Sequence, residues 1–230
     1  MVPDCLTLVH SPLVGPGTWE AFAPTACDRG FHVVIPDLRP ALSEGPPFAA
    51  REVELVAGSV GQRRTVLVGH SGAGPLLAAA GDACGGVDGY VFVDAGLPTP
   101  GKSWFDTVPA ELAAQVRGMA CDGWLPPWSE WWGPEEMAKL LPDAQVRERF
   151  ADECPRLPVA MFEESLPPSP GWAGRLGAYL RLSDAYDEPA GQAKALGWPV
   201  VELDGHHLSV VTEPELVIDA VLDLIAQLPH

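Results

Sequence analysis

The sequence predicts an α/β domain whose mainly parallel sheet is flanked by helices on both faces and interrupted by a helical insertion. Three observations predict it. Short apolar runs alternate with helix-spaced segments over residues 5–96, the rhythm of strand–helix–strand crossovers. From Leu97 to about Gly177 that rhythm breaks; prolines are frequent there, and six of the eight tryptophans fall in it (Trp104, Trp124, Trp128, Trp131, Trp132 and Trp172). It then resumes to the end. The core therefore reads as 1–96 and 178–230, with 97–177 as a lid or cap.

Each element follows from its local pattern. CLTLVH (5–10) is a buried strand, followed by the Gly/Pro loop SPLVGPG. A short helix near Trp19 to Arg29 leads to FHVVIP (31–36). Phe48, Val53, Leu55, Val56 and Val60 have helical spacing over 48–60. TVLVG (65–69) is a strand, Gly74 to Ala83 a helix, and YVFVDAG (90–96) a third strand. In the insertion, helices are expected at 109–121, 134–141 and 143–153, with no clean strand. AYLRL (178–182), a helix near 188–196, WPVVEL (198–203) and a final helix over 213–228 complete the core. Thr212, Pro214 and Glu215 suggest a capping box at the start of that helix.

Composition narrows the function classes. The 230 residues suffice for one sizeable domain, and 47% hydrophobic residues support a packed core. Fourteen Lys plus Arg against 31 Asp plus Glu give a formal charge of −17, which repels polynucleotides and anionic membranes. The start MVPDCLTLVH has no basic leader pattern, and no apolar run is long enough to span a bilayer. Cys5, Cys27, Cys84, Cys121 and Cys154 are scattered, odd in number and form no C-x-x-C pair. A reducing cytoplasm and a monomer or homodimer are the expectation. No phosphate-binding loop or metal-ligand cluster is present, so no cofactor and no metal is expected.

The chemistry concentrates in VLVGHSGAG (66–74). Ser71 has small residues on both sides, at Gly69 and at Gly72, Ala73 and Gly74. A serine capping the 74–83 helix would not require that; a serine exposed on a tight strand–helix turn does. Strand–GHSGA–helix, then an insertion, then a late GHH before the last helix resembles the α/β-hydrolase superfamily over nearly the whole chain. Its motif is G-x-S-x-G; Ala73 stands in the last place here.

The resemblance implies a nucleophile, an acid and a histidine in that chain order, with Ser71 as the nucleophile. It places the histidine on the loop before the last helix, seven residues before its early proline. Pro214 then points to His207, with His206 as the substitute. His10, His32, His70 and His230 are elsewhere, at a strand end, in a strand, in the turn and at the last position. The family places the acid after either of two strands. Asp94 closes YVFVD, where a carboxylate is costly without a partner. Asp184 and Asp187 follow AYLRLS, but SDAYDEPA does not reproduce the usual G-x-x-D pattern. Asp94 is the assignment; Asp184 and Asp187 stay as alternatives.

The resemblance also implies an oxyanion hole, with one donor the N–H of Gly72. The second normally lies two residues past the first-strand histidine, which is Pro12, a residue without an N–H. The donor then shifts to the Leu13 N–H or the Ser11 hydroxyl. In cyanohydrin-cleaving lyases of the superfamily a hydroxyl residue follows the same histidine, so Ser11 keeps that chemistry in view. The expected function is a serine hydrolase of a small hydrophobic or aromatic carboxylic ester, thioester or lactone, acting through an acyl-enzyme. The alternatives are a lyase, cyclase or acyltransferase on the same residues, or a small-molecule receptor.

Overall fold

In the computed structural model, which describes residues 5–61 and 63–228, the central apolar runs become strands buried on both faces. The sequence readings on Met1 to Asp4 and on His230 lie outside the described residues. The first part of the chain forms β1 (Cys5–Val9), α1 (Phe22–Asp28), β2 (His32–Val34), α2 (Phe48–Val60), β3 (Thr65–His70), α3 (Gly74–Ala83) and β4 (Val87–Val93). The middle segment forms α4 (Ala110–Gly118), β5 (Trp124–Leu125), α5 (Pro134–Leu140), α6 (Ala144–Glu153), β6 (Leu157–Pro158) and α7 (Val159–Glu163). The last part forms β7 (Gly177–Arg181), α8 (Asp187–Ala195), β8 (Val200–Glu202), α9 (Ser209–Thr212) and α10 (Pro214–Ala226). Short 3-10 turns join several of these.

Six strands pair in the order β2-β1-β3-β4-β7-β8, parallel throughout. Side chains alternate between the two faces of the sheet. Leu6, Leu8, Val66, Val68, Val91, Val93, Ala178 and Leu180 pack beneath α1 and α10. Val9, Leu67, Tyr90, Phe92 and Tyr179 point the other way, against α2, α3 and α8. Neighbouring β1 and β3 thus send their following helices, α1 and α3, to opposite faces. The crevice outside their carboxyl ends is the switch point where ligands bind in such sheets.

Two expectations are corrected. The middle segment does contain strand: Trp124–Leu125 and Leu157–Pro158 pair antiparallel. The capping box at the last helix is absent, because Thr212 is already helical as the end of α9. Instead α10 begins at Pro214 behind Glu213, with no side-chain cap.

The middle segment is fastened to the core by carboxylates on helix starts. Glu153 accepts from the Gly17 N–H at 2.7 Å. Glu164 accepts from the Phe48 and Ala49 N–H groups at 2.8 and 3.0 Å, the open donors of the first turn of α2. Nearby on α2, Glu52 is buried, and burial, then the charge of Glu164, push its carboxyl pKa up to about 8. A raised acid pKa means that the folded state holds the proton more tightly. The contribution of Glu52 to stability is therefore fully present below about pH 4.5 and is lost as pH rises towards 8, by at most about 5 kcal/mol. Glu52→Gln is expected to leave thermal stability near pH 5 unchanged and to raise Tm at pH 8. Equal shifts at both values would contradict this.

Candidate active site

β3 ends at His70, and the next residue turns sharply. Ser71 has φ +57, in the left-handed region that a serine rarely adopts. The turn is tolerated because its neighbours are small. A Cβ on Gly72 would stand 2.7 Å from Ser11 Oγ, and one on Gly74 would collide with the Gly96 carbonyl. The β1 loop therefore presses on one side of the serine and the turn after β4 on the other. Ser71 does not cap α3, whose N-cap residue is Ala73.

His207 enters from the loop before α9. Its Nε2 lies 2.9 Å from Ser71 Oγ, and its Nδ1 lies 2.8 Å from Asp94 Oδ2. With Nδ1–H donating to the carboxylate, Nε2 is free to accept the serine hydroxyl proton. Asp94, fully buried and itself at φ +43, follows β4 directly. Its Oδ1 accepts from the Leu182 and Ser183 N–H groups at 2.8 and 2.9 Å, and Oδ2 accepts from the Ser183 hydroxyl at 2.6 Å. Burial opposes its ionisation, but His207 and these donors outweigh burial and hold the carboxyl below the ordinary range. Tyr179 braces the turn from below, donating to the Ala95 carbonyl at 2.7 Å and accepting from the Ala95 N–H at 3.1 Å.

The alternatives are not brought to this chain. Asp184 and Asp187 are exposed and pair with Arg181. Their 3-10 turn and helix start lie past the point where Leu182 and Ser183 meet Asp94. His206 turns away: its Nδ1 accepts from the Leu208 N–H at 3.2 Å, and its Nε2 lies 3.3 Å from Thr212 Oγ1. His10 is fully buried, with Nδ1–H donating to the Ser11 carbonyl and Nε2 accepting from the Leu38 N–H. Burial pushes its pKa down to about 4, so it stays neutral and holds the β1 loop. His70 donates from Nε2 to the His207 carbonyl at 2.9 Å. Burial, then the neighbouring His207, push its pKa down to about 3.

Of the two expected donors on the β1 loop, the Leu13 N–H is directed at Ser11 Oγ, at 3.3 Å. The Ser11 hydroxyl hydrogen is the donor left over, beside Gly72. A cavity of about 10 Å³, room for one water, lies among Ser11, Leu13, Ser71, Trp128, His207 and Leu208. A depression of about 430 Å³ lies at the other end of the sheet, near Gly86 and Arg175, away from the serine.

Trp128 and Tyr186 were not singled out by sequence reasoning. Among the tryptophans, Trp128 alone lines the cavity beside Ser71, its ring 6.2 Å from that of His207. Trp131 packs on Phe162, and Trp172 on Trp198, away from the cavity. The Tyr186 ring stacks on His207 at 5.1 Å, and its hydroxyl lies 3.5 Å from Ser71 Oγ. The one sequence signal for it was an aromatic residue inside the SDAYDEPA loop.

Among the described residues no group of three or more His, Cys, Asp or Glu side chains converges as a metal site, and no helix is long and apolar enough to cross a membrane. The alpha/beta hydrolase family model matches residues 8–220. No curated protein matches the sequence. Among solved structures, an extracellular alpha/beta-hydrolase from a Paenibacillus species is similar at 19% identity and TM-score 0.78, covering 96% of this chain and 99% of its own. Methylketone synthase I of tomato, complexed with 2-tridecanone, is similar at 15% identity and TM-score 0.71, with both chains fully covered. A pyrethroid hydrolase from Sphingobium faniae is similar at 18% identity and TM-score 0.68, covering 97% and 98%. At these identities the likeness concerns the fold.

Proposed function

Because the chain belongs to the alpha/beta hydrolase family, we propose that it is a serine hydrolase of a small hydrophobic carboxylic ester, thioester or lactone. The observation that carries the reading is the continuous chain Ser71 Oγ–His207 Nε2 and His207 Nδ1–Asp94 Oδ2, at 2.9 and 2.8 Å, on a serine held at positive φ. Ser71 Oγ attacks the acyl carbon while His207 Nε2 takes its proton. Asp94 fixes the histidine tautomer and stabilises the imidazolium. The Gly72 N–H and the Ser11 hydroxyl donate to the carbonyl oxygen as it gains charge. His207 then returns the proton to the leaving oxygen or sulfur, and water releases the acyl group from Ser71 by the same steps.

The segment 97–177 acts as a lid. The cavity at Ser71 has room for about one water, so substrate enters when the part of the segment bearing Trp128 shifts. Leu13, Val14 and Leu208 provide an apolar wall, which suits an uncharged acyl group. Trp128→Ala is expected to shift the ratio of kcat/KM for long against short acyl chains about tenfold towards the long ones. An unchanged ratio would remove Trp128 from the acyl site. The free cysteines, three of them at least partly buried, accord with a cytoplasmic location.

The test is turnover of a panel of uncharged esters, thioesters and lactones by the wild-type protein. Release of the free acid from at least one class supports the reading, and none from any class refutes it. A second reading has one observation in its favour. The Ser11 hydroxyl beside Gly72 stands where the superfamily's cyanohydrin-cleaving lyases carry a hydroxyl residue. Cleavage of a cyanohydrin without ester turnover would select that reading.

A further inference from the structure

The three tyrosines of the chain are unequally committed. Tyr179 donates to the Ala95 carbonyl at 2.7 Å, and the Tyr90 hydroxyl accepts from Arg175 at 2.9 Å. The Tyr186 hydroxyl has, among the described residues, one hydrogen-bonding neighbour: Ser71 Oγ at 3.5 Å, beyond the normal range of an O–H···O bond. It is an O–H donor held beside the reacting atom and nearly unspent. Burial pushes its pKa up to about 12, so it keeps its proton at any working pH.

Its direction of approach says which substrate atom it meets. The Tyr186 ring is within 4° of parallel to the His207 imidazole, so the phenol reaches Ser71 from the side of the base. It does not line the cavity that Ser11, Leu13 and Trp128 bound together with Ser71 and His207. In acyl transfer the carbonyl oxygen faces the Gly72 side, and the leaving group must face His207, which protonates it.

On the serine-hydrolase reading, we propose that Tyr186 is a catalytic residue for the leaving group: its O–H donates a hydrogen bond to the departing alcohol oxygen. No proton is transferred from the phenol. The bond between acyl carbon and leaving oxygen breaks, its electron pair stays on that oxygen, and the proton that oxygen acquires comes from His207 Nε2. Tyr186 lowers the charge on the oxygen before that proton arrives. Sulfur is a weak acceptor and thiolates are less basic, so the device favours oxygen esters over thioesters of the same acyl group.

The experiment measures kcat/KM, which reports acylation, for Tyr186→Phe against wild type on one acyl group with a graded series of leaving groups. The variant keeps the ring that stacks on His207, and an unchanged melting transition together with a single fluorophosphonate adduct at completion marks a folded protein with a reactive serine. The expected loss is about twofold for a p-nitrophenyl ester, about 30-fold for a simple alkyl ester and under threefold for the matched thioester. A structural role would lower all of them alike. A uniform loss, or none, overturns the proposal while leaving the hydrolase reading standing. Absence of wild-type turnover on every member overturns both.

Discussion

Replacing Ser71 with alanine is expected to reduce turnover of a reactive short-chain ester by about 10⁴-fold or more, and His207→Ala to do nearly the same. The two residues act as one unit. Ser71 Oγ is a weak nucleophile unless its proton has somewhere to go, and His207 Nε2, 2.9 Å away, is the acceptor. The double variant is therefore expected to be little worse than either single one. Alanine also relieves no crowding at position 71, since the small neighbours are demanded by Ser11, Ala95 and Gly96 rather than by the serine side chain. The variants should fold, and steady-state kinetics on purified protein with an unchanged melting transition checks both points. Additive losses in the double variant would mean that Ser71 and His207 do not share a step.

Asp94→Asn is the second large effect, a fall in kcat of about 10⁴-fold. The amide donates where the carboxylate accepted. His207 Nδ1 must then accept, so its proton moves to Nε2 and the serine hydroxyl loses its base. The same change also weakens the contact with Ser183, whose hydroxyl donates to Oδ2 at 2.6 Å. Asp184→Asn and Asp187→Asn are expected to change kcat by less than about twofold, because each pairs with Arg181 at the surface. A larger loss at Asp187 than at Asp94 would move the acid to the other strand.

Much of this arrangement was legible because it depends on short-range pattern. Short continuous apolar runs placed the central strands, since a strand buried on both faces leaves few other choices at those positions. Ser71 was legible because the turn that carries it permits so few residue types on either side. Asp94 was legible for an energetic reason: a carboxylate ending an apolar strand needs donors, and Leu182, Ser183 and His207 supply them.

What stayed hidden depends on how distant loops pack. Nothing local marks Trp128 out from Trp131: both lie in one tryptophan-rich run, and only the tertiary path puts the first beside His207 and the second on Phe162. Tyr186 sits in a loop whose aspartates drew attention, yet the loop turns its phenol inward and its carboxylates out to Arg181. The start of α10 was misread because Thr212-x-Pro214-Glu215 fits a capping box in isolation, while the preceding residues already form α9 and leave Thr212 helical. The cap that Glu164 provides for α2 joins residues 115 and 116 positions apart, beyond any local signal.

That Ser71 is an activated nucleophile is tested most directly by intact-mass analysis after treatment with a fluorophosphonate. One adduct is expected on the wild-type protein and none on Ser71→Ala or His207→Ala. Folded wild-type protein that takes up no label, or an adduct that persists in Ser71→Ala, would contradict it.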